Sequence, residues 1–318
     1  MRRLVLLLIV AIGLAPGTWW RSAAPLPDEP ASIEIIPIDV EPGNVGALQL
    51  LGAWELRSSS SHFHGYSGLV SLGDGTLLAV SDRGRRLRFA PPGSDGGIVE
   101  MGLYGEDDDK RMSDIEALTR DPESGRLWVA YEFANAIERQ EPDGSGTRRV
   151  APQAMADWSD NAGPEAMVRL ADGRFIVIAE GRMLFGRTET EALLFPGDPV
   201  EGAEPLRFRF AHPRGYRPVD VAQLPDGRVL ILTRAVEWGL PPQFGNRLIL
   251  ADPTEISADQ TWRGQVVAEI AEPLPSDNYE GIAIEAEADG GAIVWLISDD
   301  NQSAFQRTLL LKLRWPAK

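Results

Sequence analysis

The sequence predicts an all-β protein that folds as a single β-propeller of five four-stranded blades. Three observations lead to this prediction: a two-strand unit recurs five times along the chain, the units are spaced by about the length of one blade, and no long amphipathic helical pattern competes with them. A sixth blade stays possible if residues 32–40 contribute to one.

Each unit consists of an apolar strand, a turn that contains glycine, and a second, more strongly apolar strand. Asp-Gly between apolar runs is a strong hairpin signal, because such a turn needs positive φ angles. The turns are marked by Asp74, Ser124, Asp172, Asp226 and Asp289, which are 50, 48, 54 and 63 residues apart. The first strands are predicted at residues 67–72, 115–118, 164–168, 219–222 and 279–283, and the second strands at 76–82, 126–132, 174–180, 228–234 and 292–299.

The intervals between the units hold the outer strands. Further strands of the third and fourth blades are predicted at residues 192–195, 206–210, 247–250 and 265–270. Residues 309–315 end the chain as the third strand of the last blade. Its fourth strand is predicted at residues 48–56, from the N-terminal side, which would close the ring and remove its open edge.

Composition excludes several classes of function. The 318 residues include 47 acidic and 31 basic side chains, for a net charge of −16, and such a surface repels nucleic acid. The absence of cysteine rules out disulfides, thiolate nucleophiles and thiolate metal sites. The length fits one closed all-β domain, and we expect a monomer.

The N-terminus predicts export. Residues 1–24 have a basic start, an apolar run and a small-residue exit, which is the layout of a secretory signal peptide, although an uncleaved N-terminal anchor stays open. Residues 25–47 are predicted as a Pro-rich linker and entry strand, and residues 48–318 as the propeller domain. The protein is therefore expected in the periplasm or outside the cell, with membrane contact only through an uncleaved anchor.

Charged residues recur at one edge of the predicted hairpins. In an antiparallel hairpin, the start of the first strand and the end of the second lie at the same edge. First strands begin with Glu116, Glu165, Asp220 and Glu280, with Ser67 in the first blade, and second strands end with Asp82, Glu132, Glu180, Arg234 and Asp299. If the first strand is innermost, these residues ring one mouth of the central channel.

Carboxylates that converge on one opening repel one another unless positive charge compensates them. Arg83 and Arg234 could supply part of that charge, and Ca²⁺, a hard ion that prefers oxygen ligands, could supply the rest. A structural role stays open for each single acid, because carboxylates at strand ends also accept hydrogen bonds from backbone amides. His62-Phe63-His64 has the form of a metal-binding pair, but its Ser-rich surroundings favour a loop role.

Several short motifs together resemble one protein family. In chain order they are Tyr66-Ser67-Gly68-Leu69, Ser81-Asp82-Arg83-Gly84, Asp114-Ile115-Glu116-Ala117, Gly163-Pro164-Glu165-Ala166, Val219-Asp220-Val221, Asn278-Tyr279-Glu280-Gly281-Ile282-Ala283, Ser298-Asp299-Asp300-Asn301 and Gln306-Arg307-Thr308-Leu309-Leu310. The set resembles the phytase-like family, exported bacterial β-propellers described as having esterase-like activity of phytase, over residues 48–315. The resemblance implies a calcium-dependent hydrolase of phosphate or carboxylic esters. The chain departs from the family pattern where alanine follows Glu116 and Glu165 and where Asp220 replaces glutamate.

The first functional hypothesis is a metal-assisted hydrolase of a small anionic ester or phosphoester. Ca²⁺ would be held by some of Asp82, Glu116, Glu165, Asp220, Glu280 and Asp299. Arg83 and Arg234 would bind the anionic group, and Glu132 or Glu180 would act as the general base. Only three lysines are present, so a small monoester is favoured over phytate as the substrate.

Two alternatives stay open. A propeller lactonase with one metal on the channel axis would use the same acids. A non-catalytic periplasmic propeller would instead bind a ligand or a protein, with Trp158, Trp238 and Phe244 as exposed contacts.

Overall fold

The computed structural model describes residues 32–60, 62–94, 99–104, 114–143, 145–159, 162–181, 188–237, 239, 243–271, 274–303 and 305–317. The strands in these ranges are β1 (Glu34–Ile38), β2 (Gly43–Val45), β3 (Leu48–Arg57), β4 (Tyr66–Ser71), β5 (Leu77–Ser81), β6 (Arg85–Phe89), β7 (Val99–Leu103), β8 (Ile115–Arg120), β9 (Leu127–Tyr131), β10 (Ala136–Gln140), β11 (Arg148–Val150), β12 (Pro164–Arg169), β13 (Phe175–Ala179), β14 (Glu189–Phe195), β15 (Leu206–Ala211), β16 (Arg217–Gln223), β17 (Val229–Glu237), β18 (Gln243–Ala251), β19 (Thr261–Trp262), β20 (Gln265–Ile270), β21 (Tyr279–Ala286), β22 (Ala292–Ser298) and β23 (Thr308–Trp315). Within the same ranges, three short 3-10 helices cover Gln153–Met155, Pro199–Glu201 and Pro253–Glu255.

The strands form five sheets, one for each blade, which confirms the predicted all-β propeller of five blades. The first four blades are β4-β5-β6-β7, β8-β9-β10-β11, β12-β13-β14-β15 and β16-β17-β18-β20, and the fifth is β21-β22-β23-β3. Neighbouring strands within each blade are antiparallel, and the short β19 adds to the third blade as a parallel partner of β15. The glycine turns have the positive φ angles that the hairpin signal requires, as at Gly173 (88°) and Gly227 (90°).

The N-terminal strand closes the ring as predicted. In register, β3 pairs with the last strand β23, so that Ala53 lies opposite Leu311 and Glu55 opposite Leu309. Residues 34–38 extend the same sheet as β1, outside β3, and β2 also pairs with β3. These residues therefore belong to the fifth blade and form no sixth.

The apolar core lies between the blades. In the described part of the chain, five clusters of buried apolar side chains fill the five interfaces between adjacent blades. The second strand of a blade contacts both neighbouring blades, which explains why β5 and β13 are buried at every position. The more strongly apolar second strand of each unit is therefore a consequence of burial on both faces.

The inner strands position the site. Strands β4, β8, β12, β16 and β21 contact one another around the channel, so the first strand of each unit is innermost. Each contains a bulge directly after its first or second residue, seen as a shift in register. The extra residue is Ser67, Glu116, Glu165, Val219 or Glu280. A bulge bends the strand and redirects a side chain, and here it does so at the mouth of the channel.

The predicted signal peptide or anchor at residues 1–24, and the first part of the predicted linker, lie outside the described residues. Among the residues that are described, no helix is long and apolar enough to cross a membrane.

Candidate functional site

One mouth of the channel is lined by acidic side chains from several blades, and we call this opening the acidic mouth. Its first layer is the bulged glutamates Glu116, Glu165 and Glu280. The second layer consists of the residues that follow the second strands. Their backbone amides continue each ladder by one pair: those of Asp82, Glu132, Glu180 and Asp299 donate to the carbonyls of Gly65, Asp114, Gly163 and Asn278 at 2.9–3.1 Å. The structure thus brings eight of the ten predicted site residues, all except Asp220 and Arg83, to the inner edge of one mouth.

Asp114, Glu116 and Glu132 form a close acidic group within the described part of the chain. One carboxylate oxygen from each lies within 4.8 Å of the others, and all three side chains are half-buried. The backbone bond between Glu132 and Asp114 sets their spacing, and the bulge turns Glu116 toward them. Glu116 is a predicted ligand and Glu132 a predicted catalytic residue, whereas Asp114 is not among the predicted site residues. Asp114 directly precedes the first strand, and its pairing with the residue after the second strand is the signal that could have identified it.

The pKa values at this mouth show the cost of crowding buried carboxylates. Burial, followed by the charges of neighbouring acids, raises the pKa of Glu116 and of Glu165 well above the usual range. The same causes raise the pKa of Glu132 to about 7, and burial is the largest cause at Asp82, where the pKa is about 6, and at Asp299, where it is about 9. Without a cation, the acids of this mouth therefore bind protons more tightly than exposed carboxyl groups do.

The donor set fits a hard divalent cation. All the clustered side chains offer carboxylate oxygens, which Ca²⁺ prefers. Asp82 adds a buried oxygen, Oδ1, that has no hydrogen-bond partner among the described residues. A buried acceptor without a donor is unfavourable, and a bound cation would satisfy it.

Arginines compensate the other side of the acidic mouth. The Nη1 atom of Arg234 donates to Glu280 and, at 2.7 Å, to Asn278 Oδ1, while its Nη2 lies 3.9 Å from Glu180. Arg217, which the sequence analysis missed, contacts the same Glu180 oxygen at 2.7 Å. Burial lowers the pKa of Arg234, but the charges of Glu280, Glu165 and Glu180 outweigh it and raise the pKa above the usual value. The guanidinium of Arg234 is thus already engaged by Glu280 and Glu180, and its main effect is to neutralise these carboxylates.

Asp220 does not join the ring of acids, contrary to the sequence analysis. In the fourth blade the bulged residue is Val219, and Asp220 occupies the next position, which holds glycine or alanine in the other blades. Its side chain is fully buried and accepts from the amides of Val221 and Ile282 at 2.8 Å each, and from that of Leu69. Asp220 therefore links three inner strands across the channel, which is the structural role that stayed open for single acids.

Arg83 lies at the surface of the acidic mouth. Its Nη1 donates to Gln302 Oε1 at 2.7 Å, which ties the loop after β5 to the loop after β22. Of the aromatic residues proposed as exposed contacts, Trp158 is buried in the core between the second and third blades, so that expectation is wrong. Phe244 is half-buried, and Trp238 lies outside the described residues.

A cavity of about 200 Å³ opens at the opposite end of the channel. It is lined by the C-terminal ends of the inner strands, including Arg120, Arg169 and Gln223, and its lining contains no acidic side chain among the residues that the structure describes. The clustered carboxylates therefore lie away from this cavity, at the other mouth.

Comparisons with known proteins were made for the sequence and for the fold. The family model of the phytase-like family, described as esterase-like activity of phytase, matches residues 61–302. No curated protein matches the sequence. Similar solved structures include the major allergen Mala s 1 of Malassezia sympodialis (15% identity, 91% of this chain and 96% of that chain covered, TM-score 0.46) and glutaminyl cyclase of Myxococcus xanthus (13% identity, 84% and 95% covered, TM-score 0.46). A chain of a nidogen/laminin complex is similar at 11% identity, with 88% and 96% covered and a TM-score of 0.44.

Proposed function

The chain belongs to the phytase-like family, and from this premise we propose that it is a calcium-assisted hydrolase of small anionic phosphate or carboxylic esters. The observation that carries the proposal is the group formed by Asp114, Glu116 and Glu132, whose carboxylate oxygens converge at the acidic mouth. The predicted signal sequence in residues 1–24 supports the further proposal that the enzyme is exported and acts in the periplasm or outside the cell.

The proposed metal ligands are Asp114, Glu116 and Glu132. Asp82, whose pKa is raised mainly by burial and in part by the charge of Asp114, offers a further oxygen that has no hydrogen-bond partner among the described residues. Bound there, Ca²⁺ would offset the mutual repulsion of the acids and polarise an ester oxygen. Glu165 adds to the negative surroundings of this site, since its charge contributes to the raised pKa of Glu116. Asp220 is not among the proposed ligands, because backbone amides contact both of its oxygens.

The proposed contacts for the substrate anion are the arginines. Arg83 is the more available, since its partner is the neutral side chain of Gln302. Arg234 and Arg217 are engaged by carboxylates and would contribute mainly through their charge. An anionic ester placed between the cation and Arg83 would have negative charge stabilised on both sides as it develops in the transition state.

The two residues predicted as general base have other roles under this proposal. Glu132 becomes a metal ligand, and the Oε1 atom of Glu180 is already bound by Arg217. Neither of the two predicted bases is thus well placed to take a proton from water.

Calorimetric titration of the full chain with Ca²⁺, together with hydrolysis of p-nitrophenyl phosphate and p-nitrophenyl acetate, tests the proposal. Glu116→Gln is expected to weaken Ca²⁺ binding by ~10-fold or more and to reduce turnover in parallel, because it removes one of three converging negative charges. The matched control is Glu191→Gln, an exposed position on β14 in the third blade, which should change neither quantity. A wild-type protein that binds no Ca²⁺ and hydrolyses neither ester would refute the hydrolase and leave the non-catalytic binding propeller.

A further inference from the structure

His64 and Asp300 form a hydrogen-bonded pair between the first and fifth blades. The His64 Nδ1 and Asp300 Oδ2 atoms are 2.6 Å apart. The Asp300 carboxylate is held from two more sides, since Thr308 Oγ1 donates to Oδ2 at 3.1 Å and the amide of Gln302 donates to Oδ1 at 3.0 Å. An ionised carboxylate only accepts, so Nδ1 donates to it, and in the neutral form of the imidazole Nε2 carries the lone pair.

The pair is arranged so that the carboxylate is hidden and the imidazole is open. The Asp300 side chain is 9% exposed, whereas the His64 side chain is 36% exposed. The His64 Nε2 atom has no hydrogen-bond partner among the described residues. The ring of Phe63 packs edge-on against that of His64, with the ring centroids 5.4 Å apart, and Phe63 is itself buried against Tyr66. This packing limits rotation of the imidazole.

Gly65 places this pair beside the acidic mouth. Its carbonyl accepts from the amide of Asp82, and its missing side chain leaves space for Asp82 Oδ1, which lies 2.5 Å from where a Cβ would stand. His64 has a φ of 134°, a conformation that residues with a side chain rarely adopt. Such conformations persist where the surroundings enforce them and are concentrated at functional sites.

We infer that His64 is the general acid and base of the hydrolysis and that Asp300 is its positioning residue. The inference rests on the proposed function and fills the role for which neither Glu132 nor Glu180 is well placed. Nε2 takes a proton from water while the water oxygen forms a bond to the phosphorus or the carbonyl carbon. The ester bond to the leaving oxygen breaks, and the proton passes from Nε2 to that oxygen. Water and ester are consumed, an acid and an alcohol are formed, and His64 returns to its neutral state.

Asp300 has a separate task in this scheme. It keeps the proton on Nδ1, so that the lone pair stays on Nε2, and its negative charge stabilises the imidazolium while the proton is held. Asp300 therefore acts through His64 and does not contact the substrate.

The test uses the full chain with saturating Ca²⁺ and the two p-nitrophenyl esters. His64→Gln is expected to lower kcat by about 10²- to 10⁴-fold with KM and Ca²⁺ affinity unchanged, because it removes proton transfer only. His62→Gln, two residues away in the same loop, is the matched control and should keep wild-type turnover. Imidazole added to His64→Ala should restore part of the lost rate, which a purely structural role would not allow.

The outcomes are distinguishable. Retention of kcat within about twofold in His64→Gln would overturn the role of His64 while leaving the proposed hydrolase in place. A loss of Ca²⁺ binding in that variant would make His64 a ligand and overturn the inference equally. If His64→Gln does not fold, Asp300→Asn decides: the inference expects a kcat at least ~10-fold lower with unchanged KM and Ca²⁺ affinity, and wild-type turnover would overturn it. No turnover in the wild-type protein would overturn both proposals.

Discussion

Asp220 is expected to be needed for folding and not for metal binding, and substitution separates the two roles. Its carboxylate accepts from the buried amides of Val221, Ile282 and Leu69, which lie on three different inner strands. Leaving a buried donor without its acceptor costs about 1–3 kcal/mol. Asp220→Ala therefore should cost about 3–9 kcal/mol, a large part of the 5–15 kcal/mol that typically stabilises a domain.

Asp220→Asn is the more informative variant because the protein should still fold. It keeps one acceptor oxygen and turns an NH₂ group toward the remaining donors, so we expect a loss of about 1–3 kcal/mol. Urea unfolding followed by tryptophan fluorescence should show the same loss in EDTA and in saturating Ca²⁺, with Ca²⁺ affinity unchanged. Asp157→Asn, at an exposed position, is the control and should change stability by less than about 0.5 kcal/mol. Unchanged stability together with weakened Ca²⁺ binding in Asp220→Asn would refute the reasoning and return Asp220 to the ligands.

Three further predictions concern charge, pH and packing. Arg234→Gln should destabilise the metal-free protein by about 3–5 kcal/mol in urea unfolding, since it leaves buried carboxylates without their cation; an unaffected midpoint would contradict this. In EDTA, thermal stability should fall as the pH rises from about 4 to 9. The pKa values of Asp82, Glu132 and Asp299 are raised to about 6, 7 and 9 in the folded protein, so the folded acidic mouth binds more protons than the unfolded chain, and each group contributes up to about 1.4 kcal/mol per pH unit. A stability that rises over this range would disprove the raised pKa values. Gly281→Ala should cost about 1–3 kcal/mol, because its Cβ would stand 2.7 Å from Ile297 Cγ2, whereas Gly197→Ala meets no atom within 4 Å and should be neutral; equal unfolding midpoints would count against close packing of the inner strands.

The sequence predicts the fold well because the propeller repeats a local unit. The Asp-Gly turns, the apolar second strands and the spacing near 50 residues each report on one hairpin, and five copies reinforce one another. Closure by β3 also follows, because a last blade with only three strands leaves an open edge that a segment from the N-terminal side can cover.

The site is less predictable, because it depends on bulges and on neighbours across strands. By its charge Asp220 aligns with the glutamates in the sequence, whereas in the structure Pro218-Val219 aligns with Pro164-Glu165, so the shared proline is the better guide to the bulged position. Asp114 and Glu132 are 18 positions apart in the sequence and meet only through the pairing of their backbones. The hydrogen bond between His64 and Asp300 joins the first blade to the fifth, and no local pattern reports such a contact.

The distribution of positive charge explains why a cation is expected on one side of the acidic mouth and not on the other. Arg217 and Arg234 contact Glu180 and Glu280, so the side formed by the third, fourth and fifth blades is compensated by the protein itself. Glu116, on the second blade, has no salt bridge among the described residues, and one of its carboxylate oxygens lies within 4.8 Å of carboxylate oxygens of Asp114 and Glu132. A divalent ion placed there would supply the missing charge without disturbing the arginine contacts. The mouth would then present a metal ion on one side and Arg83 near another, with the imidazole of His64 in the loop between the first and fifth blades. This is an arrangement in which an anionic ester, rather than a neutral one, would be bound most strongly.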